Sequence, residues 1–130
     1  CVPRAAEARF MSIEIELEGG RVEYEPGGLL EGRVTLTPAP GEEGRKVELS
    51  VLWQTEGKGN TDLGVLLHRV IAEDGIGARE AHAFEARLPL LPLSYTGTLI
   101  KIRWLVRVRR YALLADDEIE EREIVVRWPL

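Results

Sequence analysis

Apolar and polar residues alternate along most of this chain, and the 3.6-residue spacing of an amphipathic helix is almost absent. In the clearest run, Ile100–Val108, Ile, Trp and Val occupy one face. Lysine and arginine dominate the other face of that run. A period of two places one face of a strand against a core and the other toward solvent. The chain is therefore predicted to be all-β.

Glycine- and proline-rich turn signals divide the chain into about eight strand-length runs. Gly19-Gly20 ends the first run, Pro26-Gly27-Gly28 ends the second, and Glu73-Asp74-Gly75 follows the fifth. Regularly spaced short strands of this kind indicate a sandwich or a barrel. The predicted strands are Ile13–Leu17, Arg21–Glu25, Leu30–Thr37, Val47–Trp53, Leu63–Ala72, His82–Leu88, Ile100–Arg109 and Ile124–Trp128.

Length and charge limit the classes of function. A chain of 130 residues suits one domain with a single core. The formal net charge is −5, which opposes general nucleic-acid binding because phosphates attract basic surfaces. Cys1 is the only cysteine, so the sequence predicts no intramolecular disulfide and no cysteine metal site. We expect a cytoplasmic protein with no membrane span and no secretory signal.

The first ten residues differ from the rest, and Met11 opens the alternating pattern. We therefore divide the chain into a tail or extension over residues 1–10 and one domain over residues 11–130. Three interpretations of the first segment are open: an extension ahead of a natural start at Met11, a disordered tail, or a processed lipoprotein bearing its lipid on Cys1.

The last two predicted strands suggest a hairpin centred near Ala115. This register sets Arg109 opposite Glu121 and Arg107 opposite Glu123, which are favourable cross-strand pairs. It also sets Arg103 opposite Arg127, which is unfavourable. The acidic residues of the connection are interpreted as a solvated hairpin tip, with calcium binding as the alternative. They are Asp116, Asp117, Glu118, Glu120 and Glu121.

Several segments resemble the arrestin-like superfamily, which also includes Vps26-type retromer subunits and Spo0M-type sporulation-control proteins. Tyr24–Val34 is similar to its Tyr-x-Pro-Gly turn followed by a strand containing Gly32. Phe84–Pro89, Pro92–Gly97 and Ile100–Trp104 follow in the family's order and spacing. The resemblance covers Met11 to Pro129.

The resemblance implies an immunoglobulin-like, two-sheet antiparallel β-sandwich of about eight strands. Bacterial single-domain relatives of unknown function look most similar, through Trp53–Gly59. Phosphate-sensing lysines occupy an early strand in arrestins, whereas Glu14, Glu16 and Glu18 stand in that strand here. Recognition of phosphorylated receptors is therefore not transferred to this chain.

No catalytic constellation is visible in the sequence. His68 and His82 are the only histidines, and each is predicted to be a partly buried, hydrogen-bonded residue and not a metal ligand. Gly57–Asn60 lacks the spacing of a phosphate-binding loop, so it is interpreted as a turn. Alternation assigns Trp53, Trp104 and Trp128 to the core, although exposed tryptophans would suggest a carbohydrate surface.

The solvent face of the seventh run carries a cationic stripe, Lys101, Arg103, Arg107 and Arg109. It is a possible docking face for an acidic partner. The alternative, which we favour, is a sheet surface neutralised by neighbouring glutamates.

Taken together, these features predict a non-catalytic protein-interaction or scaffolding module with no cofactor. Its partner is another protein, or a second copy of itself, bound through an edge strand or a sheet face. The alternative is a sandwich that binds a carbohydrate or calcium.

Overall fold

The computed structural model describes residues 13–38, 46–57, 61–73, 78–111 and 117–129. Nine strands and one short 3-10 segment, Glu18–Gly20, fall within these ranges. The strands are β1 (Ile13–Leu17), β2 (Glu23–Tyr24), β3 (Leu29–Leu36), β4 (Val47–Gly57), β5 (Leu63–Ala72), β6 (Glu80–Arg87), β7 (Tyr95–Thr96), β8 (Ile100–Arg110) and β9 (Glu118–Val126).

The strands form two sheets, and the predicted two-sheet sandwich is confirmed. The smaller sheet has the order β1-β3-β6, and both of its strand pairs are antiparallel. The larger sheet has the order β2-β9-β8-β4-β5, with β7 also paired to β8. Its pairs are antiparallel except for the short parallel pair between β2 and β9.

The turn before β3 has the backbone that its glycines predict. Gly27 adopts a φ of 80°, and the Gly28 N–H donates to the Glu25 carbonyl over 2.9 Å. Farther along β3, a Cβ on Gly32 would lie 2.7 Å from both the Glu16 carbonyl oxygen and the Phe84 ring. The absence of a side chain at Gly32 therefore lets the Phe84 ring lie against β3.

The core lies between the inner faces of the sheets, where the alternating apolar residues meet. Trp104 is fully buried, and its indole N–H donates to the Pro92 carbonyl over 2.9 Å. The loop before β7 thus satisfies the one polar group of the largest core side chain. The most buried aliphatic residues include Ile13, Ile15, Leu30, Val34, Leu36, Leu49, Val51, Val106, Val108 and Ile124.

The predicted register of the last hairpin is wrong by two residues. Arg107 lies opposite Glu121 and Leu105 opposite Glu123, so the unfavourable pairing of Arg103 with Arg127 does not occur. A shift of two preserves the face of every side chain, which is why alternation could not detect it. The acidic run is also not only a tip, because Glu118, Glu120 and Glu121 lie within β9.

The prediction that all three tryptophans lie in the core is wrong at Trp128. Trp104 is buried and Trp53 packs at the margin of the core. Trp128 lies beyond the end of β9 and is 55% exposed. Alternation predicts which face a side chain occupies only within a paired strand, and Trp128 lies beyond the last paired residue.

Some predictions fall outside the described residues. They are the nature of residues 1–10, most of the turn at Gly57–Asn60, the turn at Asp74-Gly75, and the centre of the last hairpin near Ala115 with Asp116. No helix in the described ranges is long and apolar enough to cross a membrane.

Candidate functional site

The cationic stripe of β8 lies on the outer face of the larger sheet, between β4 and β9. Arg103 donates to Glu56 on β4 over 2.7 Å and to Glu123 on β9 over 3.1 Å. These charge-assisted hydrogen bonds raise the pKa of Arg103, and the bond from Arg103 lowers the pKa of Glu56. Arg103 therefore links three neighbouring strands.

The other members of the stripe also face carboxylates. Arg107 pairs with Glu121 on β9, and Arg109 donates to Asp117. Lys101 lies directly opposite Glu56 in the β4–β8 pairing. An acidic partner would have to compete with these carboxylates for the three arginines.

Two leucines lie beneath this charged layer. Leu52 on β4 and Leu105 on β8 face one another across the strand pair, yet they are only 3% and 1% exposed. Leu105 stands between Arg103 and Arg107 on the same face. Arginine side chains cover apolar surface with their methylene groups while the guanidinium stays in water. Arg103 and Arg107 are therefore placed to cover Leu105 with their methylene groups.

At the opposite end of this face, several hydrogen-bond donors surround the Glu48 carboxylate. It accepts a hydrogen bond from the Tyr111 hydroxyl over 2.6 Å and lies 3.3 Å from Lys46 Nζ. The bond from Tyr111 is the main reason that the pKa of Glu48 is lowered. His68 Nε2 lies 3.2 Å from the same carboxylate, and the His68 side chain is half exposed.

His82 shares the inner face of β6 with Phe84, as predicted. Its Nε2 lies 2.8 Å from Glu80 Oε1, so a carboxylate satisfies this histidine as well. The described residues contain no group of three or more His, Cys, Asp or Glu side chains placed to hold a metal ion.

The strands at the sheet margins differ in how they are protected. The side of β9 away from β8 pairs with β2 only at Val125 and Val126. Over the rest of β9, Glu118, Glu120 and Arg122 point toward the interior. Charged residues that point inward at a margin discourage pairing with another chain.

A second form of protection closes the two seams between the sheets. Arg122 Nε donates to the Ile15 carbonyl of β1 over 3.2 Å. At the other seam, Arg69 Nη2 donates to the Ala83 carbonyl of β6 over 2.9 Å. Each arginine therefore satisfies a backbone acceptor on a margin of the smaller sheet.

The margin of the larger sheet at β5 has this protection mainly at Arg69, which points inward in the half of the strand away from Leu63. This ten-residue strand pairs with β4 on one side and with no other strand in the described structure. Its outer face presents Leu63 and Val65, which are 57% and 55% exposed, and Val70. Extra residues at Leu66 and Ile71 interrupt the pairing with β4. We call the free side of β5 the β5 edge.

Trp53 contributes to this edge through the glycine opposite it. The indole extends over Gly64, where a Cβ would lie 2.2 Å from Trp53 Nε1. Gly64 therefore gives the indole room to lie across β5. The sequence predicts a strand here but does not identify it as an edge. The unbroken apolar run from Val65 to Leu67 was a signal, because a strand with one solvated face would alternate apolar and polar residues.

A second exposed apolar surface lies where β4, β6 and β9 end and β8 begins. The loop before β7 brings Leu90 close to Gly27, and Leu99 lies against Gly57. We call this surface the apolar end; its exposed residues are Leu90, Leu91, Tyr95, Leu99, Ile100 and Trp128.

Comparison with known structures tests the implied fold. The crystal structure of Spo0M, a sporulation control protein from Bacillus subtilis, matches this chain with a TM-score of 0.62 over 91% of its residues. The fold is arrestin-like. The sequences are 17% identical, so the arrestin-like similarity established here is one of fold.

The matched region covers 49% of the Spo0M chain, so this chain spans about half the length of that protein. No family model matches the sequence. No curated protein matches it significantly.

Proposed function

We propose that this arrestin-like domain is a non-catalytic protein-interaction module and that the β5 edge is its binding element. The observation that carries the proposal is a ten-residue strand at the margin of the larger sheet, with the apolar residues Leu63 and Val65 more than half exposed.

The mechanism is strand addition. An extended segment of the partner would hydrogen-bond to the backbone of β5 and continue the sheet. Because side chains alternate between faces, every second residue of the segment would lie beside Leu63 and Val65. We therefore expect the segment to carry apolar residues at alternating positions.

The cationic stripe remains a proposed second surface. Binding an acidic segment there would require Arg103, Arg107 and Arg109 to exchange their present carboxylates for those of the partner. The exchange gains little, because exposed ion pairs contribute about 0–1 kcal/mol each. We therefore place the main binding element at β5.

The experiment is a comparison of captured proteins. Immobilised wild-type chain is exposed to lysate beside the double variant Leu63→Lys/Val65→Lys. Both side chains point into solvent, so the substitutions should leave the fold intact while adding charge at the edge. A partner that uses the edge should be retained by the wild type and lost by the double variant.

Val22→Lys is the matched control, because Val22 is also an exposed apolar residue, at 59%, and lies outside β5. Circular dichroism and thermal melting confirm that each variant is folded. Equal capture of the same partners by the wild type and both variants would overturn the assignment to β5.

Exposed aromatic residues favour a second candidate, a carbohydrate-binding surface at the apolar end. Trp128 and Tyr95 are both more than half exposed, and exposed aromatic rings are suited to packing against sugar rings. Titration with oligosaccharides should then change the fluorescence of the wild type and not that of Trp128→Phe. An unchanged spectrum with a panel of sugars would remove this candidate.

A further inference from the structure

We infer that two copies of this chain associate through antiparallel pairing of their β5 edges, about a two-fold axis at Gly64. The inference rests on the proposed function, since it uses the same binding element, and it specifies the partner. In the pair, the two larger sheets would join into one continuous sheet.

The placement of the exposed apolar residues supports this symmetry. Leu63 and Val65 stand on either side of Gly64 and share the outer face of β5, opposite Gln54 and Leu52 of β4. Antiparallel pairing about Gly64 sets Leu63 of each copy directly opposite Val65 of the other. Four exposed apolar side chains would then pack together on one face, and cross-strand apolar pairs of this kind stabilise sheets.

Charge also selects this part of the strand. Pairing about Gly64 places Asp62 opposite Leu66, so no charged side chain within Asp62–Leu66 faces a like charge. Pairing centred between His68 and Arg69 would set the His68 of each copy against the Arg69 of the other, and two basic residues directly opposite are unfavourable.

The Trp53 indole provides an independent observation at the proposed axis. It lies over Gly64, where the two copies would meet. Trp53 is only partly buried in one copy. Antiparallel pairing brings the two Gly64 residues together, so both indoles would become more enclosed. Tryptophan emission should therefore report association.

The margins at β9, β6 and β2 are less suited to pairing with a second copy. Glu118, Glu120 and Arg122 point inward on β9, and Glu80 and His82 point inward on β6. The β2 strand has only two residues. Strand pairing over a few residues buries a small area, so the association should be weak and concentration-dependent.

Analytical ultracentrifugation of the wild type tests the inference across a concentration series. We expect a monomer–dimer equilibrium, with a blue shift of tryptophan emission as the dimer fraction rises. Leu63→Lys/Val65→Lys should raise the dissociation constant at least about tenfold, because it sets lysines opposite lysines. Val22→Lys should dimerise as the wild type does.

Charge complementation separates a lost interface from a misfolded variant. Leu63→Glu/Val65→Glu should also be monomeric alone, whereas an equimolar mixture with the double lysine variant should form a heterodimer. In a Cys1→Ser background, Leu63→Cys/Val65→Cys should form disulfide-linked dimers on oxidation, and Ile119→Cys on the same sheet face should not.

The outcomes distinguish the inference from the proposed function. A wild type that stays monomeric up to about 1 mM overturns self-pairing. If such a monomer still captures a partner in a β5-dependent manner, the proposed function stands without the inference. A dimer that survives the double lysine substitution would also overturn self-pairing, because its interface would lie elsewhere.

Discussion

Tyr24 combines deep burial with an unsatisfied hydroxyl. Its side chain is 3% exposed, and its oxygen has no hydrogen-bond partner in the described structure. Leaving a buried donor unpaired is costly, so Tyr24→Phe should raise the free energy of unfolding by about 1 kcal/mol. Urea denaturation measures the change.

Tyr111→Phe is the matched control for that substitution. It removes the hydroxyl that donates to Glu48, so it should lower the free energy of unfolding by about 1 kcal/mol. Destabilisation by Tyr24→Phe would show that the Tyr24 hydroxyl has a partner.

Glu48 should make the free energy of unfolding depend on pH in the acidic range. Its pKa is lowered in the folded chain, mainly by the hydrogen bond from Tyr111. Its contribution is therefore present above the pKa of the unfolded chain and is lost as the pH falls through the folded pKa. Glu48→Gln should destabilise the protein at pH 7, and the difference from wild type should shrink near about pH 3.

Chemical denaturation at both pH values measures this difference. Glu25→Gln, at an exposed carboxylate outside the strands, controls for the loss of one negative charge. A difference between wild type and Glu48→Gln that stays constant with pH would contradict the assignment.

At the scale of strands, the pairing of β8 with β9 can be tested by a double-mutant cycle. Arg107 and Glu121 are cross-strand partners and form an ion pair. Replacing each with Ala, singly and together, should reveal a coupling of about 0.5–1 kcal/mol. The same cycle for Arg109 and Glu121 should give a coupling near zero. The opposite ranking would restore the register predicted from sequence.

The positions of most strands, and the side chains that face the core, could be predicted from the sequence, because burial of one face imposes a period of two. Ile100–Val108 shows this most clearly, since its apolar residues define the inner face. The register of β9 could not be predicted, because a shift of two residues conserves every face. The burial of Leu105 was also missed, because its position on the polar face of the strand predicts exposure.

The sequence predicts the mode of binding at the candidate site but not which strand provides it. Strand addition was expected, but the identity of the edge depends on which strands lie at the sheet margins. Order within a sheet follows from contacts between residues far apart in the chain, which local patterns do not contain. The exposure of Trp128 was missed for a related reason: it depends on where β9 ceases to pair.

For the whole molecule, the two arginines that close the seams should act locally. Arg122→Met removes the hydrogen bond to the Ile15 carbonyl, so amide hydrogen exchange should accelerate in β1. Arg69→Met removes the bond to the Ala83 carbonyl and should accelerate exchange in β6. Exchange measured by mass spectrometry should show each effect at its own seam. Equal acceleration throughout both sheets would indicate general destabilisation.

The unequal protection of the margins limits how large an assembly can grow. A two-fold axis at β5 uses the same surface on both copies, so forming the pair consumes the only long, weakly protected margin among the described strands. The outermost strands of the joined sheet would be the two-residue β2 of each copy. Strand addition would therefore stop at the dimer, and the exposed β5 edge would not lead to fibres.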